Sequence, residues 1–236
     1  MKILDNKTAR DVSVALHQGD IDTLNAMLTK EPGIAESGIH TKGPQGDEVR
    51  SMLHVATDYP GHFPRCKEAI GLLIANGADP NARFVGPHTE TPLHWAVSCD
   101  DVEATDALLA AGADLEADGG VLTGGPPMDD AVIFAQWHAA RRLMENGAAL
   151  TLWHAGALGQ LDQVKAKLDA GQYNNDELTA ALWHSCRGGQ LDTARAIAEA
   201  GGDPRWVGFD GKTPLDCAVE SGNQDLIRWL RDVASE

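Results

Sequence analysis

Short apolar segments with helical spacing recur along this chain, and polar or glycine-containing links separate them. Near the start, Val12, Ala15 and Leu16 fall on one face of a predicted helix, and a second helix follows after a glycine break. Near the end, Leu226 and Leu230 share one face of a helix whose other face is charged. The pattern predicts an all-α protein built from pairs of short amphipathic helices.

A short phrase returns with variations roughly every 33 residues, which indicates a repeat array. Its clearest copies are TPLHWA at residues 91–96 and TPLDCA at residues 213–218, with weaker copies at residues 51–56 and 126–131. Glycine-containing phrases follow at residues 76–82, 111–117, 146–149 and 200–204. In such an array each unit buries its apolar face against its neighbours, so a function must use an extended surface or groove.

These phrases resemble the ankyrin repeat family, in which Thr-Pro-Leu-His-x-Ala opens a unit and Leu-Leu-x-x-Gly-Ala-Asp closes it. The resemblance implies an ankyrin repeat solenoid of about seven helix-turn-helix units with short β-hairpin fingers, as a single domain over residues 1–236. We expect an N-terminal capping unit at about residues 7–33 and a C-terminal capping helix at about residues 223–234. Segments 54–64 and 86–96 also resemble a bacterial subgroup of ankyrin repeat domain-containing proteins.

Several junctions depart from the family pattern. Residues 37–47 carry four glycines or prolines and predict a long loop. Prolines at positions 60 and 64 forbid a continuous helix there and lengthen the corner of the second unit. Residues 147–153 and 172–177 leave no room for a hairpin, so we expect the fingers of units five and six to be missing.

Charge and composition narrow the choice of partner. The formal net charge is -16 and the pI is about 4.8, so the surface repels phosphate backbones and anionic lipids, and we expect neither nucleic acid nor membrane as a partner. The N-terminal residues are too polar for a secretory signal. The four cysteines show no pairing or zinc-site spacing, which fits a reducing cytosol. We therefore expect a cytoplasmic monomer without cofactors.

The resemblance also indicates which residues face the concave groove. In the family, the residue before the small residue of the opening phrase tends to look into it. Here that position holds Val55, Trp95, Asp130, His154, His184 and Cys217. Adding residues three or four further along the helix gives a ligand-binding set of Asp58, Tyr59, Trp95, Cys99, Phe134 and Arg187.

Asp130, His154 and His184 are the candidate catalytic residues because they take equivalent positions in three consecutive units. A carboxylate beside an imidazole can hold it in one tautomer and tune its pKa, as acid-base catalysis requires. The same types ligate zinc or iron, but neighbouring helices stand roughly 10 Å apart, so we expect no metal site. The competing interpretation is packing, which is the usual role of a single histidine or tryptophan on a helix.

Two functions remain open. The first is a non-catalytic module that binds a protein partner through the groove and hairpin loops, which is what the family resemblance implies. The second is a small-molecule enzyme or receptor with a pocket lined by Trp, Asp and His. The chain contains none of the motifs G-x-S-x-G, G-x-x-x-x-G-K-[ST] and H-E-x-x-H, so the binding module is preferred. Closure of the groove by loops 58–64 and 84–90 would favour the second.

Overall fold

The computed structural model describes residues 2–208 and 210–234, and it contains seven helix pairs over that part of the chain. The helices are α1 (Asn6–Gln18), α2 (Ile21–Lys30), α3 (Met52–Ala56), α4 (Cys66–Ala75), α5 (Pro92–Ser98), α6 (Val102–Ala110), α7 (Pro127–Ile133), α8 (Trp137–Glu145), α9 (Leu152–Ala157), α10 (Leu161–Ala170), α11 (Asn175–Arg187), α12 (Leu191–Glu199), α13 (Pro214–Ser221) and α14 (Gln224–Ala234). This confirms the predicted repeat fold of about seven helix pairs, while the capping roles of the two ends stay predictions. None of these helices is long and apolar enough to cross a membrane.

The chain divides into two compact units, Met1–Ala148 and Ala149–Glu236. Helices α1–α8 belong to the first unit and α9–α14 to the second. In the first unit α5 packs against both α6 and α7, and in the second α11 packs against α9, α12 and α13. Within each unit, neighbouring helix pairs therefore pack against one another, as in a repeat array. A single domain over residues 1–236 stays a prediction.

The opening phrase starts a helix and joins neighbouring repeats. In α5 the backbone N–H of Thr91 donates to Nδ1 of His94 at 3.1 Å, which completes a capping box. Nδ1 is therefore the acceptor, and Nε2–H donates to the carbonyl oxygen of Gly125, 3.1 Å away, just before the next helix pair. Burial lowers the pKa of His94, so the imidazole stays neutral in this role.

Tryptophan takes over this connection where the histidine is absent. Trp183 occupies the position of His94, and its Nε1–H donates to the carbonyl oxygen of Lys212 at 2.9 Å. Like Gly125, Lys212 directly precedes the first residue of the next opening phrase. The indole reaches the equivalent carbonyl from a unit that lacks a finger, which gives Trp183 a structural role.

The segment predicted as a long loop is a β-hairpin, so that prediction was wrong. Strand β1 (Gly38–Gly43) pairs antiparallel with β2 (Gly46–Ser51), and Gly43 lies opposite Gly46 across a two-residue turn. The glycines that indicated a loop are the residues that allow this tight turn, because Gly46 adopts a φ of 130°. Val49 of β2 also exchanges backbone hydrogen bonds with Val85, which holds the 84–90 loop beside the hairpin.

The expectation of missing fingers is confirmed. Only residues 146–151 separate α8 from α9, and residues 171–174 separate α10 from α11. Neither link contains a strand. Helix α11 is longer than the other first helices of the second unit, at 13 residues, and Asn174 starts it with a capping box to Glu177. The space of a hairpin is thus taken by an extra turn of helix.

Candidate binding pocket and buried carboxyl pair

A pocket of about 370 Å³ opens on the surface of the first unit. Its walls come from the corner after α3, one face of α5, the loop before α7 and the end of α7. The lining residues are Thr57, Asp58, Tyr59, Glu90, Trp95, Ser98, Cys99, Val121 and Phe134. Five of the six predicted ligand-binding residues therefore lie together around one pocket. The sixth, Arg187, belongs to the second unit, where its guanidinium lies 5.3 Å from the ring centre of Trp183.

The mouth of the pocket carries exposed apolar side chains. Tyr59 is 85% exposed, Val121 46% and Phe134 38%. Large apolar residues that stay this exposed around one concavity are typical of an interaction site. Trp95 is half-buried, and it is held from behind by Phe84, whose ring centre lies 5.6 Å from that of the indole. The aromatic wall is thus formed before any ligand arrives.

Glu90 is the acidic floor of the pocket and was not identified from the sequence. Its Oε2 accepts a hydrogen bond from Trp95 Nε1–H at 2.8 Å, and its Oε1 accepts one from the backbone N–H of Val121 at 2.9 Å. His88 Nδ1 lies 3.0 Å from Oε2. The residue is only 6% exposed, so two N–H donors hold a largely desolvated carboxylate. The sequence did offer one indication of Glu90, which is its position directly before Thr91, at the end of a loop that leads into the pocket.

Asp130 lies behind Glu90 and is fully buried. Burial, and next the negative charge of Glu90, raise the pKa of Asp130 to about 8. At neutral pH the Asp130 side chain is therefore a neutral carboxylic acid beside Glu90. Gly120 makes room for the pair, since a Cβ there would lie 3.0 Å from Asp130 Oδ1. Asp130 thus forms a carboxyl pair with Glu90, a partner that was not predicted.

Two other polar residues of the lining, Asp58 and Cys99, contribute little charge or reactivity. Arg50 Nη1 donates to Asp58 Oδ2 at 2.5 Å, which offsets the charge of that carboxylate. Burial, followed by the charge of Asp101, raises the pKa of the Cys99 thiol to about 11. A thiol that stays protonated is a poor nucleophile. Cys99 therefore acts as a small apolar part of the wall.

His154 does not lie on an open groove, which corrects the prediction. It is fully buried, and its Nδ1 accepts the backbone N–H of Thr151 at 3.2 Å in the capping box of α9. Thr151 lies four residues before Ala155, whereas Thr91 lies five before Ala96. Helix α9 has lost one residue at its start. Counted back from the helix corner, His154 matches Trp95 of α5. Because α9 has one residue fewer at its start, His154 caps its helix as His94 caps α5.

His184 is also buried, at 7% exposure, and packs among tryptophans. The ring of Trp153 lies 4.6 Å from His184 and 3.9 Å from His154, and Trp183 meets His184 edge-on at 5.0 Å. The Trp153 indole thus contacts both histidines of the second unit. These surroundings favour the packing interpretation, and none of Asp130, His154 and His184 presents its side chain to solvent. Over residues 2–208 and 210–234, no cluster of three or more His, Cys, Asp or Glu side chains has the arrangement of a metal site.

Comparisons with known proteins agree with the repeat architecture. The family description "Ankyrin repeats (many copies)" matches residues 50–109, and "Ankyrin repeats (3 copies)" matches residues 152–235. The crystal structure of the human ASB11 ankyrin repeat domain is similar with a TM-score of 0.51 and 20% identity, covering 93% of this chain and 96% of that one. At this identity the likeness concerns the fold alone. No curated protein matches the chain.

Proposed function

This chain belongs to the ankyrin repeat family, and we propose that it is a non-catalytic binding module that recognises a protein partner through the pocket of its first unit. Ankyrin repeats generally serve as protein–protein interaction modules. The observation that carries the proposal is the pocket itself, where exposed Tyr59, Val121 and Phe134 surround the half-buried Trp95. Aromatic side chains of this kind dominate the energetics of protein interfaces.

The partner should be basic, because the chain carries a net charge of -16 and the pocket has an acidic floor. Complementary charge speeds the encounter of two proteins, and added salt screens it. We therefore expect association to slow as ionic strength rises. The enzymatic alternative lacks support, since the three candidate catalytic side chains are buried and the Cys99 thiol is protonated.

A display selection tests the proposal. Random peptides are selected on the immobilised full-length chain, and the enriched peptides are then measured against Tyr59→Ala and Phe134→Ala. Both side chains are exposed, so the substitutions should leave the fold intact. We expect each to weaken binding by about tenfold or more, which corresponds to ~1.4 kcal/mol.

Tyr173→Ala is the matched control, because Tyr173 is the only other tyrosine of the chain and lies in the second unit. It should bind the selected peptides as the parent does. The proposal fails if no peptide is enriched, or if the enriched peptides bind both pocket variants as tightly as the parent and the control.

A further inference from the structure

We propose that the pocket of the first unit binds one arginine side chain of the partner, with the guanidinium over the Trp95 indole and in the field of the Glu90 carboxylate. The inference rests on the proposed protein-binding function and adds the chemical identity of the group that enters. The observations that carry it are the hydrogen bond between Trp95 and Glu90, the aromatic mouth and the acidic lining.

The lining favours a cation with an apolar stem. Two carboxylate residues, Asp58 and Glu90, are among the nine lining residues, and none of the nine is basic. Because Arg50 offsets the charge of Asp58, Glu90 is the carboxylate that attracts a cation. Tyr59, Val121 and Phe134 form the mouth that a ligand must pass. An aliphatic stem can pack against these side chains while the charge at its tip reaches the floor. An anionic group would meet Glu90 and the net charge of -16.

The Trp95 indole is prepared for a cation. Its Nε1–H donates to Glu90 Oε2 at 2.8 Å, and such a bond to an anion increases the electron density of the ring. A cation over a tryptophan face is the strongest form of the cation–π interaction. Phe84, from behind, keeps the indole in place, with ring centres 5.6 Å apart. The ring need not reorganise when the ligand binds.

Glu90 attracts a cation without needing to contact it. Its two oxygens already accept hydrogen bonds from Trp95 and Val121, so fewer lone pairs remain for a ligand. At 6% exposure its charge is weakly screened by water, and the attraction reaches across the indole. Because Glu90 is desolvated and already bonded by N–H donors, it favours a cation on the face of the Trp95 indole over one in direct contact with its oxygens.

Size and hydration favour arginine over lysine. The volume of about 370 Å³ lies near the lower end of ligand pockets, which suits a single side chain. A planar guanidinium stacks on aromatic faces and is weakly hydrated, whereas an ammonium holds its water strongly. The apolar mouth penalises the more strongly hydrated group.

The test titrates the full-length chain with N-acetyl-arginine amide and with N-acetyl-citrulline amide, which has nearly the same shape and no charge. Binding is followed by NMR at the indole N–H of Trp95 and the amide of Val121. We expect saturable shifts with the arginine probe in the millimolar range, and we expect the citrulline probe to bind at least about tenfold more weakly. N-acetyl-lysine amide should bind more weakly than the arginine probe.

Two substitutions test the pocket side. Glu90→Gln removes the charge of the pocket floor and should weaken binding of the arginine probe about tenfold. Asp118→Asn is the control: it removes a charge from a side chain that is 80% exposed and outside the lining, and it should have little effect on binding. Phe134→Leu tests the aromatic mouth at an exposed position if Glu90→Gln fails to fold. This substitution should weaken binding of the arginine probe and leave binding of the citrulline probe unchanged.

The outcomes separate this inference from the proposed function. Equal binding of arginine and citrulline, tighter binding of lysine, or no shift at Trp95 overturns the arginine assignment. If the selected peptides still lose binding on Tyr59→Ala, the protein-binding function stands without it. If the peptides ignore the pocket, the proposed function fails as well.

Discussion

Asp130→Asn should stabilise the protein, and more so as pH rises. Burial and the negative charge of Glu90 raise the pKa of Asp130 from its usual 3.8 to about 8. Between these values the unfolded chain has released the proton while the folded chain retains it, so stability falls as pH rises. Asparagine has nearly the same shape and never titrates, so it carries no charge beside Glu90 at any pH.

The size of the effect follows from the same pKa values. At ~1.4 kcal/mol per pKa unit, a rise from 3.8 to about 8 corresponds to roughly 6 kcal/mol as a ceiling. Side-chain relaxation and entry of water lower the cost of burying the charge, so we expect Asp130→Asn to gain about 1–3 kcal/mol above pH ~8. Near pH ~5 the gain should be much smaller, because most of the cost appears at higher pH.

The assay is urea unfolding of parent and variant at several pH values from about 5 to about 9. Besides Glu90, the charged group acting on Asp130 is Asp129 on the same helix, and His88 lies against Glu90 from the preceding loop. Asp118→Asn is the control for lost surface charge and should run parallel to the parent. Parallel curves for Asp130→Asn, or a variant less stable than the parent near pH ~8, would refute the raised pKa of Asp130.

Three further results are expected. Gly188→Ala should cost at least about 2 kcal/mol in urea unfolding, because its Cβ would lie 2.0 Å from the carbonyl oxygen of Ala157. Gly71→Ala, at an exposed position of α4 with nothing within 4 Å of the added Cβ, should gain about 0.5–1 kcal/mol. Mass spectrometry after iodoacetamide should find Cys99 alkylated first, although slowly, and the other three cysteines only in denaturant, since burial raises the pKa of all four thiols. His154→Gln should cost about 0.5–2 kcal/mol by weakening a buried cap; an unchanged unfolding midpoint would contradict its assignment to packing.

Local patterns predicted much of the candidate pocket. The family resemblance placed Trp95 on the groove, and counting three or four residues along the first helices added Asp58 and Phe134. All three line one pocket. This worked because residues three and four apart share a helix face, and equivalent faces align in successive repeats. The binding role of these residues remains a proposal.

Prediction failed where the answer depended on a partner distant in the sequence. Glu90 was overlooked because its importance comes from Trp95, Val121 and Asp130, which meet it only in the fold. His154 was placed on the groove because counting from the helix corner does not show that α9 is one residue shorter at its start.

The sequence by itself determined the repeat fold, the helix pairs and the units without fingers, because spacing, caps and glycine breaks act within a few residues. The tertiary structure decided which carboxyl group stays protonated and which aromatic rings stay exposed. Ionisation and exposure depend on the dielectric surroundings and on neighbours from other repeats. Asp130 shows the difference: its chain position predicted a groove acid, and burial against Glu90 makes it a neutral one.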